Sequence, residues 1–336
     1  MKIRKLEKSI TRLFRYSIIL SMLFTGCQTP VNQVHLEGFA QGTYYSIRYY
    51  DPQNRNLQKE IDSLLSEFNK TASIYDETSI VSRINRNEDN VLLNNDFMQL
   101  IVFSQQISEQ TNGAFDITVG QLVNAWGFGT EKQQDMTQKK IDSLLPCIGY
   151  NKIALEDRKL VKQNSCIKLD FNAIAKGYAV DKIGIFFDSL QIEHYLIDIG
   201  GEVLAKGNKN GESWKVGIEK PTNTKGDNRQ VLTSMSLNNM SLATSGSYRK
   251  YYEKDGVRFA HTISPQTGYP VDNNLLSVTV LHPKTAFADG YATAFMVMGM
   301  DASIEFLKTH KDIEVYFIYQ QADSILTYAT EGFFGN

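Results

Sequence analysis

Apolar residues recur along this chain in two rhythms. The stretch TYYSIRYY (43 to 50) is rich in aromatic residues and predicts a strand, and Ile61, Leu64, Leu65 and Phe68 then return at the three- and four-residue spacing of one helix face. A second helix is expected to open at Asn95 or Asp96, to carry Leu100, Ile101 and Ile107, and to stop at Gly113. After the polar GTEKQQDMTQ comes a short helix ending before Pro146, and KIALED and IKLDF read as the two arms of a hairpin. Further on the pattern predicts a helix over 173–190, strands at 194–199, 214–218 and 231–237 with the loop NTKGDN between the last two, and a strand at 276–281. Helices at 284–298 and 301–309 and two closing strands in the last 25 residues complete it. Strands broken by helices without strict βαβ alternation predict an α+β fold with mixed sheets and packed helices.

The first 27 residues follow neither rhythm. Lys2, Arg4, Lys5, Lys8, Arg12 and Arg15 precede the apolar run YSIILSMLF (16 to 24), which ends at Thr25-Gly26-Cys27. That order of charge, short apolar run and small residues before a cysteine reads as an export signal of the bacterial lipoprotein kind, with cleavage and lipidation expected at Cys27 and an uncleaved hydrophobic anchor as the alternative. The run falls short of the ~20 apolar residues that span a bilayer. Residues 28–37 then read as a tether and 38–336 as the working domain, held outside the cytoplasm in the bacterial cell envelope, with Gln28 leaving inner or outer membrane open.

Composition changes the picture little. With 42% hydrophobic and 21% charged residues the chain is an ordinary globular one, and a net charge of -2 with a pI near 6.2 lacks the cationic excess with which nucleic-acid binders displace counterions. Cys147 and Cys166 could pair in an oxidising compartment, but nothing in their spacing compels it, and the favoured reading is two small buried apolar residues. No Cys/His set with zinc spacing occurs.

Candidate chemistry sits in four segments. LDFNAIAKGYAVD (169 to 181) sets Asp170 and Lys176 among side chains small enough to admit a ligand. In KTAFADGYATAFMVMG (284 to 299), Asp289 and Thr293 stand four apart and share a helix face, a carboxylate and a hydroxyl that suit Mg²⁺, although the same pair also fits a plain helix start. Gly200-Gly201 follows a strand, either as a turn or as a place where a ligand lies against backbone. Ser245-Gly246 and Gln266-Thr267-Gly268 read as turns flanking a hairpin, with His261 close to the second; a lone histidine is more often structural than catalytic.

In order along the chain, GTYYSI, SIYDETSIVSRIN, GAFDITVGQLVNAWGFG, LDFNAIAKGYAVD, IDIGGEVLAKG, ATSGSYRKYY, HTISPQTGYPV and ADGYATA resemble the motifs of the FAD:protein FMN transferases, the ApbE family, from about residue 38 to the end. The resemblance implies an enzyme that uses Mg²⁺ and moves the FMN part of FAD to a threonine or serine hydroxyl of an acceptor protein, releasing AMP. It implies a metal held by the Ala173 carbonyl, Asp289 and Thr293, and flavin contacts at Gln41, Tyr75, Ala114, Phe115, Asp116, Asp170, Lys176 and Ile263, with Tyr75 and Phe115 able to stack on rings. Asp289 and His261 are the candidates to take the hydroxyl proton. Exported subunits of membrane redox complexes are the acceptors that the resemblance suggests. Three positions depart from the family pattern: Gln41 for Met, Asn172 for Gly, and Ser264 for Asp in H-x-x-D-P-x-T-G. Asn172 can tolerate the unusual backbone angles that a glycine would have supplied, which leaves the Ala173 carbonyl free to point at the metal. A hydrolase giving FMN and AMP, and a flavin-binding lipoprotein without catalysis, are the alternatives.

Overall fold

A computed structural model describes residues 31–221, 230–247, 251–254 and 257–335. The export signal, Cys27 and the NTKGDN loop lie outside the described residues, as does part of the stretch read as a tether. The chain opens with strands β1 (Gln33–Ala40) and β2 (Thr43–Tyr50), followed by helices α1 (Gln58–Ala72), α2 (Ile80–Asn85), α3 (Asn95–Gln110), α4 (Gly120–Ala125) and α5 (Gln138–Leu144). Next come β3 (Ile153–Glu156), β4 (Lys159–Lys162), α6 (Ala175–Ser189), β5 (His194–Ile199), β6 (Glu202–Lys206), β7 (Trp214–Glu219), β8 (Val231–Leu237) and β9 (Met240–Gly246). The order closes with β10 (Tyr251–Lys254), β11 (Val257–Ala260), β12 (Leu275–His282), α7 (Thr285–Met298), α8 (Met300–Leu307), β13 (Glu314–Gln321) and β14 (Ser324–Ala329).

One eight-stranded antiparallel sheet, in the order β1-β2-β5-β6-β9-β12-β13-β14, forms the middle layer. Its inner strands are apolar on both faces, and side chains of period two go alternately to two cores. Tyr45, Ile47 and Tyr49 of β2, Tyr195, Ile197 and Ile199 of β5, and Val315 and Phe317 of β13 enter the main core. There they meet Ile61, Leu65 and Phe68 of α1, Leu100 and Ile101 of α3, and Ile183 and Phe187 of α6. The intervening Tyr50, Leu196, Tyr316 and Ile318 face a second core closed by the β7–β8 hairpin through Trp214, Val216 and Leu237. A one-residue slip would exchange the two sets, so both buried faces fix the register. A third, small cluster of Leu122, Trp126, Ile141, Ile148 and Ile263 holds α4 and α5 against the loop after β11.

Several expectations are corrected. KIALED does not pair with IKLDF: Ile153–Glu156 pairs with Lys159–Lys162 across Asp157 and Arg158, both left-handed (φ 43° and 60°), the geometry of a two-residue hairpin turn. The residues of IKLDF run beside the start of α4 instead, where the Gly120 N–H donates to the Lys168 carbonyl (3.1 Å) and the Asp170 N–H to the Ile117 carbonyl (2.8 Å). Ser245 and Gly246 are the last residues of β9, opposite Val278 and Ser277, and not a turn. Strand β1 starts at Gln33, inside the stretch read as a tether, and pairs residue for residue with β2. Cys147 and Cys166 are joined in a disulfide with Cα atoms 5.5 Å apart, because the β3–β4 hairpin folds the chain back and brings its two ends together.

Helices α6 and α7 meet at Gly177. A Cβ there would lie 2.4 Å from the Thr285 carbonyl oxygen and 2.9 Å from the Ala286 Cα, both backbone atoms that cannot turn aside. Gly177→Ala is therefore expected to lower unfolding free energy by about 2–3 kcal/mol through overpacking, read as a lower urea midpoint at an unchanged m-value.

Candidate active site

The close approach at Gly177 brings two helix N-termini together, each capped by an aspartate of the other helix. The first turn of a helix leaves N–H groups without partners inside it. Asp181 of α6 accepts from the Thr285 N–H (2.8 Å) and the Ala286 N–H (2.9 Å) at the start of α7. Asp289 of α7 accepts from the Gly177 N–H (3.1 Å) in the first turn of α6. Burial pushes the Asp181 carboxyl up to about 6, against the pull of those two N–H groups. It also raises Asp289, 4% exposed, with the Lys176 ammonium and the Gly177 N–H pulling the other way.

Lys176, one residue before Gly177, reaches across to Glu202 at the start of β6 and pairs with its Oε1. Glu202 is 3% exposed, and its Oε2 has no hydrogen-bond partner among the described residues. Burial lifts its carboxyl to about 7; Lys176 opposes that lift, while the charges of Asp289 and Asp198 add to it. The turn that delivers Glu202 is Gly200-Gly201, both left-handed (φ 65° and 102°). A side chain at Gly200 would meet Thr43 at 2.7 Å, so this turn is pressed against the β1–β2 hairpin. Sequence reading passed over Glu202; the signal available was a carboxylate directly after the glycine pair.

Thr293, one turn beyond Asp289, exchanges a hydrogen bond with Ser245 (3.1 Å). Ala173 is partly buried against the main core just ahead of α6. Asp289 and Thr293 thus offer two oxygen donors on one helix face, and among the described residues no group of three or more His, Cys, Asp or Glu side chains forms a closed metal cage. That donor set fits Mg²⁺, which takes few protein ligands and completes its shell with water and substrate phosphate.

The other expected flavin residues fall into two groups. Tyr75 is 65% exposed as a whole; partial desolvation of its hydroxyl, and after that the charge of Asp170, raises the hydroxyl pKa. Asp170 caps its own turn by accepting the Asn172 N–H (2.8 Å). Gln41 sits left-handed (φ 53°) at the β1–β2 turn and donates to Asn69 (2.8 Å). By contrast, Ala114 and Phe115 are buried, and Phe115 stands 3.6 Å from where a Cβ on Gly290 would be, so its ring packs the protein and has no open face for stacking. Asp116 spends its carboxylate on the Thr118 N–H and hydroxyl (2.8 and 2.7 Å) and the Tyr150 N–H (2.8 Å); burial raises its pKa, and these bonds oppose the rise.

His261 lies in edge-on ring contact with Phe128 (6.4 Å), and Ile263 is buried in the third cluster, so this stretch belongs to the α4–α5 side. Ser264 closes the following turn, its hydroxyl accepting the Thr267 N–H (3.3 Å) and its carbonyl the Gly268 N–H (2.8 Å), which a neutral side chain does without the family's charge. Asn172 is not among the left-handed residues, so the expected glycine-like angles are not used there.

With this geometry in view, the family is plain: residues 41–317 match the model of the ApbE family, and the chain belongs to that family. It is 36% identical over 321 residues to the FAD:protein FMN transferase of Vibrio cholerae, covering 93% of this chain and 95% of that one. To the protein of the same name from Haemophilus influenzae it is 34% identical over 343 residues, 98% of each. Among solved structures, the flavin transferase ApbE from Vibrio cholerae superposes with a TM-score of 0.80 at 35% identity, over 90% of this chain and 99% of that one. The apo flavinyl transferase ApbE of Pseudomonas stutzeri does so with 0.80 at 30% identity, over 91% and 98%.

Glu202 makes this cluster sensitive to pH. Its folded carboxyl titrates near 7 against 4.5 for an unperturbed glutamate, so the stability it contributes is whole below 4.5 and lost as pH rises through 7. Glu202→Gln is expected to flatten this dependence: from about pH 5 to about pH 7.5 the urea midpoint should fall less in the variant than in the wild type.

Proposed function

We propose that this protein transfers the FMN part of FAD to a threonine or serine hydroxyl of an exported acceptor protein, with AMP as the leaving product. The observation that carries this reading is the gathering of Lys176, Glu202, Asp289 and Thr293 where the N-termini of α6 and α7 meet. Lys176, beside a divalent cation that Asp289 and Thr293 would hold, favours an anionic ligand such as a diphosphate. The bond that breaks joins the FMN-side phosphorus to the oxygen bridging to AMP; the bond that forms joins that phosphorus to the acceptor oxygen.

Asp289, Thr293 and the Ala173 carbonyl would hold Mg²⁺, which when bound supplies charge to oppose that of the diphosphate and the departing phosphate. Lys176 binds phosphate oxygens after giving up part of its contact with Glu202. Tyr75, exposed and close to Asp170, offers a ring face to the flavin or the adenine. Asp289 and His261 are the groups proposed to take the acceptor proton.

The signal ending at Cys27 supports a lipid-anchored protein outside the cytoplasm. The Cys147–Cys166 disulfide agrees with an oxidising compartment of that kind. Acceptors would then be proteins that share that compartment, such as exported subunits of membrane redox complexes.

Mass spectrometry of a threonine-containing acceptor peptide, incubated with the protein, FAD and Mg²⁺, tests the reading. The expected product is the peptide heavier by FMN less one water, with one AMP per modified peptide. FMN and AMP without a modified peptide would indicate hydrolysis, and FAD left intact would indicate simple binding. Asp289→Ala is expected to slow transfer about 100-fold or more at saturating Mg²⁺; wild-type rates in that variant would refute the metal assignment.

A further inference from the structure

The disulfide joins two stretches of chain that grip the same third stretch. After Cys147, the Gly149 N–H donates to the Thr118 hydroxyl (2.7 Å) and the Tyr150 N–H to the Asp116 carboxylate (2.8 Å). Around Cys166 the chain returns: the Cys166 carbonyl accepts from the Gln121 amide (2.9 Å), the Lys168 carbonyl from the Gly120 N–H (3.1 Å), and the Ile117 carbonyl from the Asp170 N–H (2.8 Å). Residues 116–121 are thus held from both sides, and the S–S bond ties the two grips to each other. The first grip fixes Asp116; the second delivers Asp170, beside Tyr75.

Without the bond, the two grips are joined by the intervening hairpin and by the 116–121 stretch that they share. Of the eight residues of β3 and β4, Ile153 is the buried one, with Leu155 and Leu160 partly buried against the main core and the rest partly or fully exposed, so the hairpin is a softer link than a covalent bond. Cys147 is buried and Cys166 partly exposed, so a thiol reaches the bond from the Cys166 side.

We propose that Cys147 and Cys166 are a positioning pair, whose closed disulfide sets the 116–121 and 166–170 stretches and thereby gives the protein its tight hold on the flavin nucleotide. This rests on the flavin reading of the site. Closing the bond is thiol–disulfide exchange: the two cysteine thiols give up two electrons and two protons, and an external protein disulfide takes them and becomes a dithiol. Opening is the reverse, with a dithiol such as dithiothreitol leaving as its cyclic disulfide. The chain is therefore a weak flavin binder in a reducing cytoplasm and a competent one after export to an oxidising space.

The test compares the oxidised protein, the protein reduced with dithiothreitol, and the Cys147→Ser/Cys166→Ser variant. Amide hydrogen exchange reads the clamp with no ligand present: the amides of Thr118, Gly120, Gly149, Tyr150 and Asp170 are expected to lose protection in both open forms, while those of β5 and β12 keep theirs. FAD titration by flavin fluorescence should show Kd rising about tenfold or more in both open forms, and reoxidation should restore it only where the cysteines are present. Unchanged Kd and unchanged protection in the open forms overturn the proposal, as does loss of protection across the whole central sheet, which would make the bond a general staple. If the oxidised protein itself binds no FAD, the transferase reading falls and the positioning claim falls with it, even where exchange still reports a clamp.

Discussion

Everything at the candidate site hangs on the contact between α6 and α7 at Gly177. Two helix backbones approach there closer than any side chain permits, and each helix start is capped by an aspartate from the other. Capping from outside the helix is more demanding than capping by the residue in front, because it works only while both helices hold their relative position. Neither α6 nor α7 has a side-chain cap of its own. The two N-termini therefore form one unit, and the same Asp289 that caps α6 stands one turn from Thr293.

That unit collects opposite charges in a place that burial makes costly for all of them. Lys176 and Glu202 neutralise each other in part, and Asp289 adds a further carboxylate with little exposure. A buried carboxylate with one oxygen left without a donor is disfavoured in its charged form, which is why Glu202 and Asp289 both bind their protons more tightly than exposed acids do. A ligand bringing cations or hydroxyl donors relieves the orphaned oxygen, and one bringing phosphates competes with Glu202 for Lys176. The cluster is thus poorly satisfied by the protein alone, as expected of a site whose missing partners come with a substrate.

Much of the frame was legible in the residues, and the reasons for the exceptions are physical. Strands β2, β5, β7, β8 and β12 and helices α1, α3, α6, α7 and α8 follow from periodicity, since each has enough apolar residues on a face to declare itself. Strand β1 was hidden because its outer position leaves most of its residues partly or fully exposed, with Leu36 the buried one. Strand β6 is short, and β9 carries three serine or threonine residues that pair across the sheet or with a helix, as Thr244 does with Thr279 and Ser241 with Thr285. At the site, Asp289 with Thr293 was legible from helical spacing. The Lys176–Glu202 pair was not, since 26 residues and a turn separate the partners.

Phe115 and Asp116 show why a motif can be legible in a sequence while the packing of its side chains is not. An aromatic ring and a carboxylate in a loop of the expected family pattern suggest ligand contacts, yet here the ring is enclosed beside α7 and the carboxylate holds the chain around Tyr150. Both residues still bear on the site, one by filling the space behind Gly290 and the other by fixing the stretch that runs alongside Asp170. Residue type alone does not separate a group that touches a ligand from one that holds the touching group in place. Burial and the count of donors already spent do separate them: Tyr75 is exposed and Glu202 keeps one oxygen without a donor among the described residues, whereas Phe115 is enclosed and Asp116 has its carboxylate committed to Thr118 and Tyr150.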